Sequence, residues 1–164
     1  MLSSIPFRIR ALERTRDELL AWRDAAFLNL NDWTFTPPGG EETKLHLGDA
    51  WPVVDRQVAA GPVVVTASAT VPAAFAGRPL RLTLNLGGEG LVTASLNGRE
   101  VVTGGLNPFH RDFELSNAAA GGERLDLRVE LVPKGLFGSN TPRPALETAR
   151  LAAVEPGVNA LWLD

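Results

Sequence analysis

The sequence predicts a mainly β protein, an antiparallel β-sandwich of the jelly-roll or galactose-binding-like kind, with an N-terminal helix and a C-terminal helical segment. Alternation of apolar and polar residues runs through successive short segments between Val63 and Leu131. Turn dipeptides rich in Gly, Asn and Pro separate these segments at regular spacing. No helical pattern lies between them, which is typical of a sandwich and not of a parallel sheet.

The composition is that of a chain that can fold as one domain without disulfides. It has 164 residues, and domains of about 150 residues bury roughly two-thirds of the surface of the unfolded chain. The absence of Cys excludes disulfides, thiolate catalysis and cysteine zinc sites. A net charge of −3 gives no attraction to nucleic acid or anionic membranes, so neither is expected as a partner.

Residues 1–30 are predicted to form an N-terminal helix that packs on the domain. Apolar residues recur there at spacings of three, four and seven, and Ser3 or Ser4 followed by Pro6 fits a helix start. A partner-binding or membrane-surface helix is the alternative, but acidic residues dilute its positive charge. Charges stand where a signal peptide has its apolar core, and no apolar run approaches the roughly 20 residues of a membrane helix. We therefore expect a cytoplasmic protein.

Residues 31–144 are predicted to form the sandwich. The part up to Gly61 holds several prolines and glycines together with Trp33 and Trp51, and we expect an irregular segment with one short strand there. Further on, Asn97-Gly98 is a strong hairpin signal, because a type I′ turn needs two residues that tolerate positive φ. The predicted strands are residues 63–71, 80–86, 91–96, 99–103, 109–115 and 124–131.

Residues 145–164 are predicted to form a second helical stretch, the start of a connector to a catalytic domain. Leu146, Ala149 and Ala153 recur there at spacings of three and four. The sequence stops at Asp164, directly after the apolar pair Trp162-Leu163. Isolated domains rarely end on such an exposed pair. We therefore expect a longer polypeptide in which a catalytic domain follows.

The tripeptide His110-Arg111-Asp112 is the one place where an imidazole and a carboxylate could share a metal ion, because residues two apart lie on one face of a strand. A catalytic zinc site needs about three protein ligands and an open position. The chain has two histidines, and its sequence nominates no third ligand and no pair of carboxylates for glycoside hydrolysis. It predicts no catalytic and no metal-binding residue; the alternative is a free-standing enzyme that uses His110 and Asp112.

Three polar residues, Glu89, Asn107 and His110, are candidates for carbohydrate binding. Glu89 lies in Gly87-Gly88-Glu89-Gly90, a predicted tight turn or bulge without the lysine and following helix of a phosphate-binding loop. A carboxylate there either accepts hydrogen bonds from sugar hydroxyls or caps nearby backbone amides. Exposed aromatic rings can stack on sugars, but with no tyrosine and four tryptophans in the chain we expect most of its aromatic rings to fill the core or an interdomain contact. The candidates for stacking are Trp33, Trp51, Phe109 and Phe137.

Several segments together carry a family resemblance. In chain order they are RIRALERTRDELLAW, VPAAFAGRPLRLTLNLGGEGLVTASLNGREVVTGGLNPFHRDFEL, LRVEL and ALETARLAAVEPGVNALWLD. In this order they resemble the N-terminal β-sandwich domain of family 38 α-mannosidases of the cytosolic and vacuolar type. The chain departs from the family pattern at Gly61-Pro62-Val63-Val64, where the family has a Trp-Phe-Arg-like triplet, and at Asn107, where the family tends to have Asp.

The resemblance implies a parent glycoside hydrolase of mannose metabolism that cleaves α-mannosides with retention, using zinc and a carboxylate nucleophile. Those groups belong to a downstream domain that opens with a Gly-His-x-His-x-Asp-type motif, which this sequence lacks. The chain is then a non-catalytic accessory module with a structural, assembly or substrate-entrance role and no cofactor of its own. Its expected partners are the downstream catalytic domain, mannosides and further copies of itself. A carbohydrate-binding β-sandwich module is the alternative.

Overall fold

The computed structural model describes residues 14, 15, 18, 22–52, 61–134 and 143–157. Within them, the backbone forms strands and short turns. The strands are β1 (Asp24–Asn29), β2 (Asp32–Thr36), β3 (Thr43–His46), β4 (Val63–Thr70), β5 (Leu80–Asn85), β6 (Glu89–Leu96), β7 (Arg99–Leu106), β8 (Asp112–Ser116), β9 (Arg124–Val132) and β10 (Thr148–Val154). A single 3₁₀ turn, Ala73–Phe75, joins β4 to β5.

These strands form two antiparallel sheets. One has four strands in the order β1-β10-β5-β8, and the other has six in the order β3-β2-β4-β9-β6-β7. All strand pairs in both sheets are antiparallel. The predicted class, an antiparallel β-sandwich, is therefore confirmed.

The core consists of the inward-facing residues of both sheets. Leu80, Leu82 and Leu84 of β5 are fully buried. Leu125, Val129 and Leu131 of β9 are fully buried as well. Successive side chains of a strand point to opposite faces, so a period-two sequence pattern puts every second residue into one cluster. Each fully buried leucine or valine stabilises the fold by roughly 1.5–3 kcal/mol relative to an exposed one.

The predicted hairpin at Asn97-Gly98 joins β6 to β7. Asn97 has φ 50° and Gly98 has φ 78°, which is the pair of positive φ values that the turn requires. The side-chain oxygen of Asn97 also accepts a hydrogen bond from the backbone N–H of Arg124 at 2.8 Å. The turn therefore contacts β9 as well as closing its own hairpin.

The helix predicted for residues 1–30 is wrong from Asp24 onward. Residues Asp24–Asn29 form β1, an edge strand paired with β10, because Ala26, Leu28 and Leu30 also alternate at period two and point their side chains toward the core. Arg14 and Glu18 have helical backbone and form an ion pair at 2.8 Å. The predicted start of that helix at Ser3, Ser4 and Pro6 lies outside the described residues.

The helical connector predicted for residues 145–164 is wrong over Thr148–Val154, which form β10. This strand lies between β1 and β5, and its residues from Leu151 to Val154 are all buried. Burial of both faces removes the period-two alternation, and the alanines then resemble a helical pattern. Trp162-Leu163-Asp164 lies outside the described residues.

The irregular segment predicted up to Gly61 contains two strands, not one. β2 and β3 form a hairpin at the edge of the six-stranded sheet, and β2 also pairs with β4. Trp33 and Phe35 on β2 are buried. Each strand has at most five residues, which is too short for a clear periodic signal among prolines and glycines.

No helix among the described residues is long and apolar enough to span a membrane.

Candidate functional site

A polar cleft opens at one end of the sandwich, where β5 ends and β6 begins. Its volume is about 200 Å³. Leu84 and Leu106 contribute apolar surface, and the other residues come from loops and strand ends. The lining residues are Leu84, Asn85, Gly87, Gly88, Leu106, Asn107, Pro108, Arg111, Lys134 and Glu147.

Backbone hydrogen bonds and close packing hold the walls of this cleft together. The N–H of Leu84 donates to the carbonyl of Arg111 at 2.9 Å, and the N–H of Glu147 donates to the carbonyl of Asn85 at 2.9 Å. Gly87 has φ 87°, and a Cβ there would lie 2.5 Å from the backbone nitrogen of Ala145. The glycines of the predicted turn therefore permit close backbone approach, which brings residues 145–147 to the end of β5.

Asn107, one of the predicted site residues, lines the cleft and closes a tight turn. Its side-chain oxygen accepts hydrogen bonds from the N–H groups of Phe109 at 2.9 Å and His110 at 3.0 Å. Backbone hydrogen bonds of 3.1 Å also link Asn107 and His110 in both directions. The Asn107 oxygen is therefore used by the turn, and its NH₂ group is the part left to meet a ligand.

His110 lies on the same turn but does not line the cleft. Its imidazole packs on the ring of Phe113, with centroids 4.9 Å apart and an angle of 44° between the planes. Phe109, the residue before His110 on the turn, is 82% exposed. The turn thus presents one aromatic ring to solvent next to the cleft and holds the second against the domain.

Glu89 begins β6 at the same end of the sandwich. Gly90 pairs with Leu106, so Glu89 and Asn107 are the next residues on their two strands. Alternation along β6 places Glu89 on the outer face of the six-stranded sheet with Leu91, and it is not among the cleft-lining residues. The described residues offer its carboxylate no hydrogen-bond or ion-pair partner, so the predicted capping of backbone amides is not found among them.

The charges in the cleft are unevenly paired. Glu147 accepts a hydrogen bond from the side-chain NH₂ of Asn85. Within the described part of the chain, neither the Arg111 guanidinium nor the Lys134 ammonium group has a hydrogen-bond or ion-pair partner. In a protein of net charge −3, this cleft is therefore lined by two cations with no partner among the described residues and by one carboxylate that already has a partner.

Asp112, the acidic residue of the His110-Arg111-Asp112 tripeptide, contacts residues of neighbouring strands. Its carboxylate accepts a hydrogen bond from the Thr83 hydroxyl at 2.5 Å and lies 3.8 Å from Arg81 Nε and 3.9 Å from Arg23 Nη2. Across residues 22–52, 61–134 and 143–157, no group of three His, Cys, Asp or Glu side chains could hold a metal ion. The sequence alternation of His110 and Asp112 thus serves packing and ion pairing.

The arginines beside Asp112 belong to a partly buried ion-pair network on the outer face of the four-stranded sheet. Arg81 is 4% exposed and pairs with Asp24. Asp24 also lies 3.8 Å from Arg23 Nε and 3.7 Å from Arg150 Nη1. Burial and the neighbouring Arg81 charge lower the pKa of Arg23, while Asp112 and Asp24 oppose that shift.

The two described tryptophans proposed for sugar stacking serve the core instead. Trp33 is 2% exposed, and its indole N–H donates to the carbonyl of Leu30 at 2.8 Å. Trp51 packs on Phe35 with centroids 5.6 Å apart and donates to the carbonyl of Leu86 at 2.8 Å. Core packing, the interpretation that the sequence favoured, is confirmed for Trp33, which is buried, and for Trp51, which is partly buried against the core. Phe137 lies outside the described residues.

Three charged cleft residues, Arg111, Lys134 and Glu147, were not identified from the sequence. They come from the β7–β8 turn, the end of β9 and the residue before β10, and only the tertiary fold brings them together. The nearest local signal was the Gly87-Gly88 pair, which marks close backbone approach to another segment but does not say which one.

Comparison with known proteins reveals a likeness of fold only. No protein-family model matches the chain, and the search of curated proteins found no match. A β-glucuronidase from Ruminococcus gnavus superposes with a TM-score of 0.55 at 11% identity, over 80% of this chain and 29% of that one. A complex of this enzyme with D-glucuronic acid has a TM-score of 0.54 at 12% identity, over 80% and 30%. The β-glucuronidase of Faecalibacterium prausnitzii has a TM-score of 0.52 at 14% identity, over 80% and 32%.

The chain therefore spans about a third or less of the length of the glycoside hydrolases that share its fold. Most of its own length is matched, so the β-sandwich corresponds to one part of each of those enzymes. At 11–14% identity, the comparison establishes the fold and no more.

Proposed function

We propose that this chain is a non-catalytic β-sandwich module of a glycoside hydrolase, with a structural, assembly or substrate-entrance role. The observation that carries the proposal is the extent of the fold match. It covers 80% of this chain but only 29–32% of the β-glucuronidases. A match that covers most of this chain and about a third of a larger enzyme is expected when the chain is an accessory domain next to a larger catalytic part.

The contacts of the Asp112 carboxylate and the His110 imidazole support a non-catalytic role. Asp112 is engaged by Thr83 and two arginines, and the His110 ring packs on Phe113. Hydrolysis of a glycosidic bond needs two carboxyl groups free to act as acid and as base or nucleophile. The contacts of these two residues are explained by the stability of the sandwich.

The finer proposal is that the parent enzyme is a zinc-dependent retaining α-mannosidase that acts in the cytoplasm. It is supported by the ordered sequence resemblance to family 38 enzymes. Zinc would then lie in a domain that follows this one, bound through a His-x-His-x-Asp motif, and would supply Lewis-acid chemistry there. The exposed rings of Trp22 and Phe27, 65% and 54% accessible, are available for packing on that domain or on a second copy.

Reading the coding frame beyond Asp164 is the first test. A frame that continues into a domain with a His-x-His-x-Asp motif would support the mannosidase, and the full-length protein should then hydrolyse an aryl α-mannoside and lose that activity with a zinc chelator. A frame that continues into a catalytic domain without this motif would retain the module and overturn the mannosidase. A stop codon at that point would overturn both.

A carbohydrate-binding module is the second candidate function, and the cleft favours it. Asn107 lines the cleft, and Phe109, two residues further along the chain, is exposed. The three predicted sugar-binding residues are Glu89, Asn107 and His110, of which the first and third lie outside the lining. Backbone NMR shifts measured with mannose and manno-oligosaccharides test this function, and no shift at millimolar sugar would contradict it.

A further inference from the structure

We propose that the cleft at the end of β5 binds an anionic sugar, a pyranose that carries a carboxylate or phosphate group, with Arg111 and Lys134 as the residues that recognise the charge. This inference rests on the proposed role of the chain in carbohydrate processing and names the ligand class of its cleft. It concerns residues that the sequence alone did not bring together.

The first argument is the pairing of charge. Arg111 and Lys134 line one small cleft, and no described residue pairs with the charged group of either. Like charges that share a site repel each other, so an anion between them is favoured. Arg offers a planar fork of donors and Lys a compact charge, and both suit carboxylate and phosphate oxygens.

The second argument is the size and polarity of the cleft. Its volume of about 200 Å³ is below the roughly 300 Å³ at which sites for drug-sized ligands begin, so one small polar ligand is the fitting occupant. Asn107 offers NH₂ donors, and Glu147, held by Asn85, offers carboxylate oxygens. Hydroxyl groups both donate and accept hydrogen bonds, so this mixture suits a polyol better than a bare anion.

The third argument is the exposed ring beside the cleft. Phe109 is 82% exposed, although a phenyl ring gains free energy when its surface is covered. The Asn107–His110 turn that carries it is fixed by two side-chain and two backbone hydrogen bonds. Phe109 directly follows the cleft residues Asn107 and Pro108, so it is the exposed aromatic side chain on which the apolar face of a bound pyranose would pack.

The test is an NMR titration of the 164-residue chain with four probes, namely glucuronate, glucose 6-phosphate, glucose and acetate. We expect the two anionic sugars to shift the backbone amides of residues 107–111, 134 and 147 at millimolar concentration, with glucose and acetate binding about tenfold more weakly or worse. Whichever of the two anionic sugars binds more tightly shows whether the cleft prefers a carboxylate or a phosphate group.

Three variants assign the roles of the residues. The double variant Arg111→Gln/Lys134→Gln should lose at least about tenfold in affinity for the anionic sugars. Arg99→Gln is the matched control, because Arg99 lies at the other end of β7, roughly 23 Å from Leu106 at about 3.3 Å per residue. Phe109→Ala should weaken glucuronate binding and leave acetate binding unchanged. All four side chains are exposed, so the variants should fold.

Equal affinity for glucose and glucuronate, or full affinity in the double variant, would overturn the inference. If acetate bound as tightly as glucuronate, the cleft would recognise anions without recognising the sugar ring, and the inference would be overturned as well. An absence of shifts with any sugar would overturn this inference alone, because the coding frame beyond Asp164 decides the module assignment independently.

Discussion

At the scale of single residues, a few positions tolerate only one side chain because another backbone passes close by. Gly90 on β6 is the tightest of the described glycines, since a Cβ there would lie 1.7 Å from the carbonyl oxygen of Glu130 on β9. No rearrangement of a flexible side chain can relieve that contact, because the obstructing atom belongs to the backbone of a central strand.

We therefore expect Gly90→Ala to lower the free energy of unfolding by about 1–3 kcal/mol, the usual cost of overpacking. Urea denaturation followed by tryptophan fluorescence measures this change. Gly105→Ala is the matched control on the neighbouring strand β7, where a Cβ would meet nothing within 4 Å, and it should change stability by less than about 0.5 kcal/mol. Equal effects of the two substitutions would contradict the role of the Glu130 carbonyl.

A second single-residue effect concerns the carboxylate of Glu123 beside the turn before β9. Burial alone raises the pKa of this group, but hydrogen bonds from the backbone N–H groups of Ala120, Gly121 and Glu123 itself outweigh burial and hold the pKa below 4.5. The Ala120 N–H lies 2.5 Å from the carboxylate. A carboxyl whose pKa is lower in the folded than in the unfolded chain stabilises the fold above the unfolded-state pKa, and this contribution is lost as pH falls through the folded-state pKa.

Glu123→Gln should consequently be less stable than the parent protein at neutral pH, and the difference should shrink as the solution is acidified below the ordinary carboxyl pKa of 4.5. The amide keeps the shape of the side chain but cannot carry the charge. Urea midpoints of the two proteins across the acidic range measure the effect. A stability difference that stays constant with pH would show that the charge of Glu123 does not stabilise the turn.

At the scale of elements, the four-stranded sheet is linked across its outer face by side chains as well as by its backbone ladder. Asp24 on β1 contacts Arg150 on β10 and Arg81 on β5, and Arg81 reaches Asp112 on β8. Two Arg81 nitrogens, Nε and Nη1, are buried with no hydrogen-bond partner among the described residues. The buried charge of the Arg81 guanidinium is therefore compensated by the carboxylates of Asp24 and Asp112, because an uncompensated buried charge destabilises the fold.

Asp24→Asn should destabilise the protein by about 3–5 kcal/mol, since it removes the carboxylate shared by three arginines. Asp126→Asn is the comparison, because Asp126 pairs at 2.9 Å with an Arg124 side chain that is 68% exposed, and such surface pairs contribute about 1 kcal/mol or less. Chemical denaturation of both variants measures the contrast. Similar small losses would mean that the network adds little to the sheet.

The strands that could be predicted from sequence are those with one wet face and clear turns. β4, β6 and β9 fulfil this condition most clearly, because buried residues alternate there with less buried ones between glycine, proline or asparagine turns. β10 could not be predicted in this way, because its residues from Leu151 to Val154 are all buried and form an apolar run without alternation. Its length of seven residues, between Pro144 and Pro156, was the remaining sign of a strand.

At the scale of the whole molecule, the cleft illustrates why a binding site is harder to predict than a fold. Asn107 was a candidate from the sequence, where it stands at a position at which the family that the chain resembles tends to have Asp. Arg111, Lys134 and Glu147 meet only after the strands that carry them have paired, and a single sequence contains no direct record of that convergence. The close approach of Gly87 to Ala145, which joins two distant segments, is a property of the complete sandwich.

The two sheets also make the limits of the folding unit testable. β10 pairs with β5 over six residue pairs and with β1 over five, so its removal separates β1 from the rest of the four-stranded sheet. The buried side chains of Leu146 and Leu151 would be lost as well. These two leucines alone contribute roughly 3–6 kcal/mol, which is comparable to the lower end of the roughly 5–15 kcal/mol by which a domain is stable. The sandwich should therefore not survive with residues 31–144 alone as its β region.

A chain that ends at Pro144 should therefore be unfolded or aggregated, with poor dispersion of amide signals and no cooperative urea transition. A chain that ends at Gly157 keeps β10 and is the matched control, and it should unfold cooperatively like the 164-residue chain. Both lack the last residues, so only the presence of the strand separates them. Cooperative folding of the shorter chain would show that β1 and β10 are additions to a smaller sandwich and that the unit ends near residue 144, as the sequence pattern predicts.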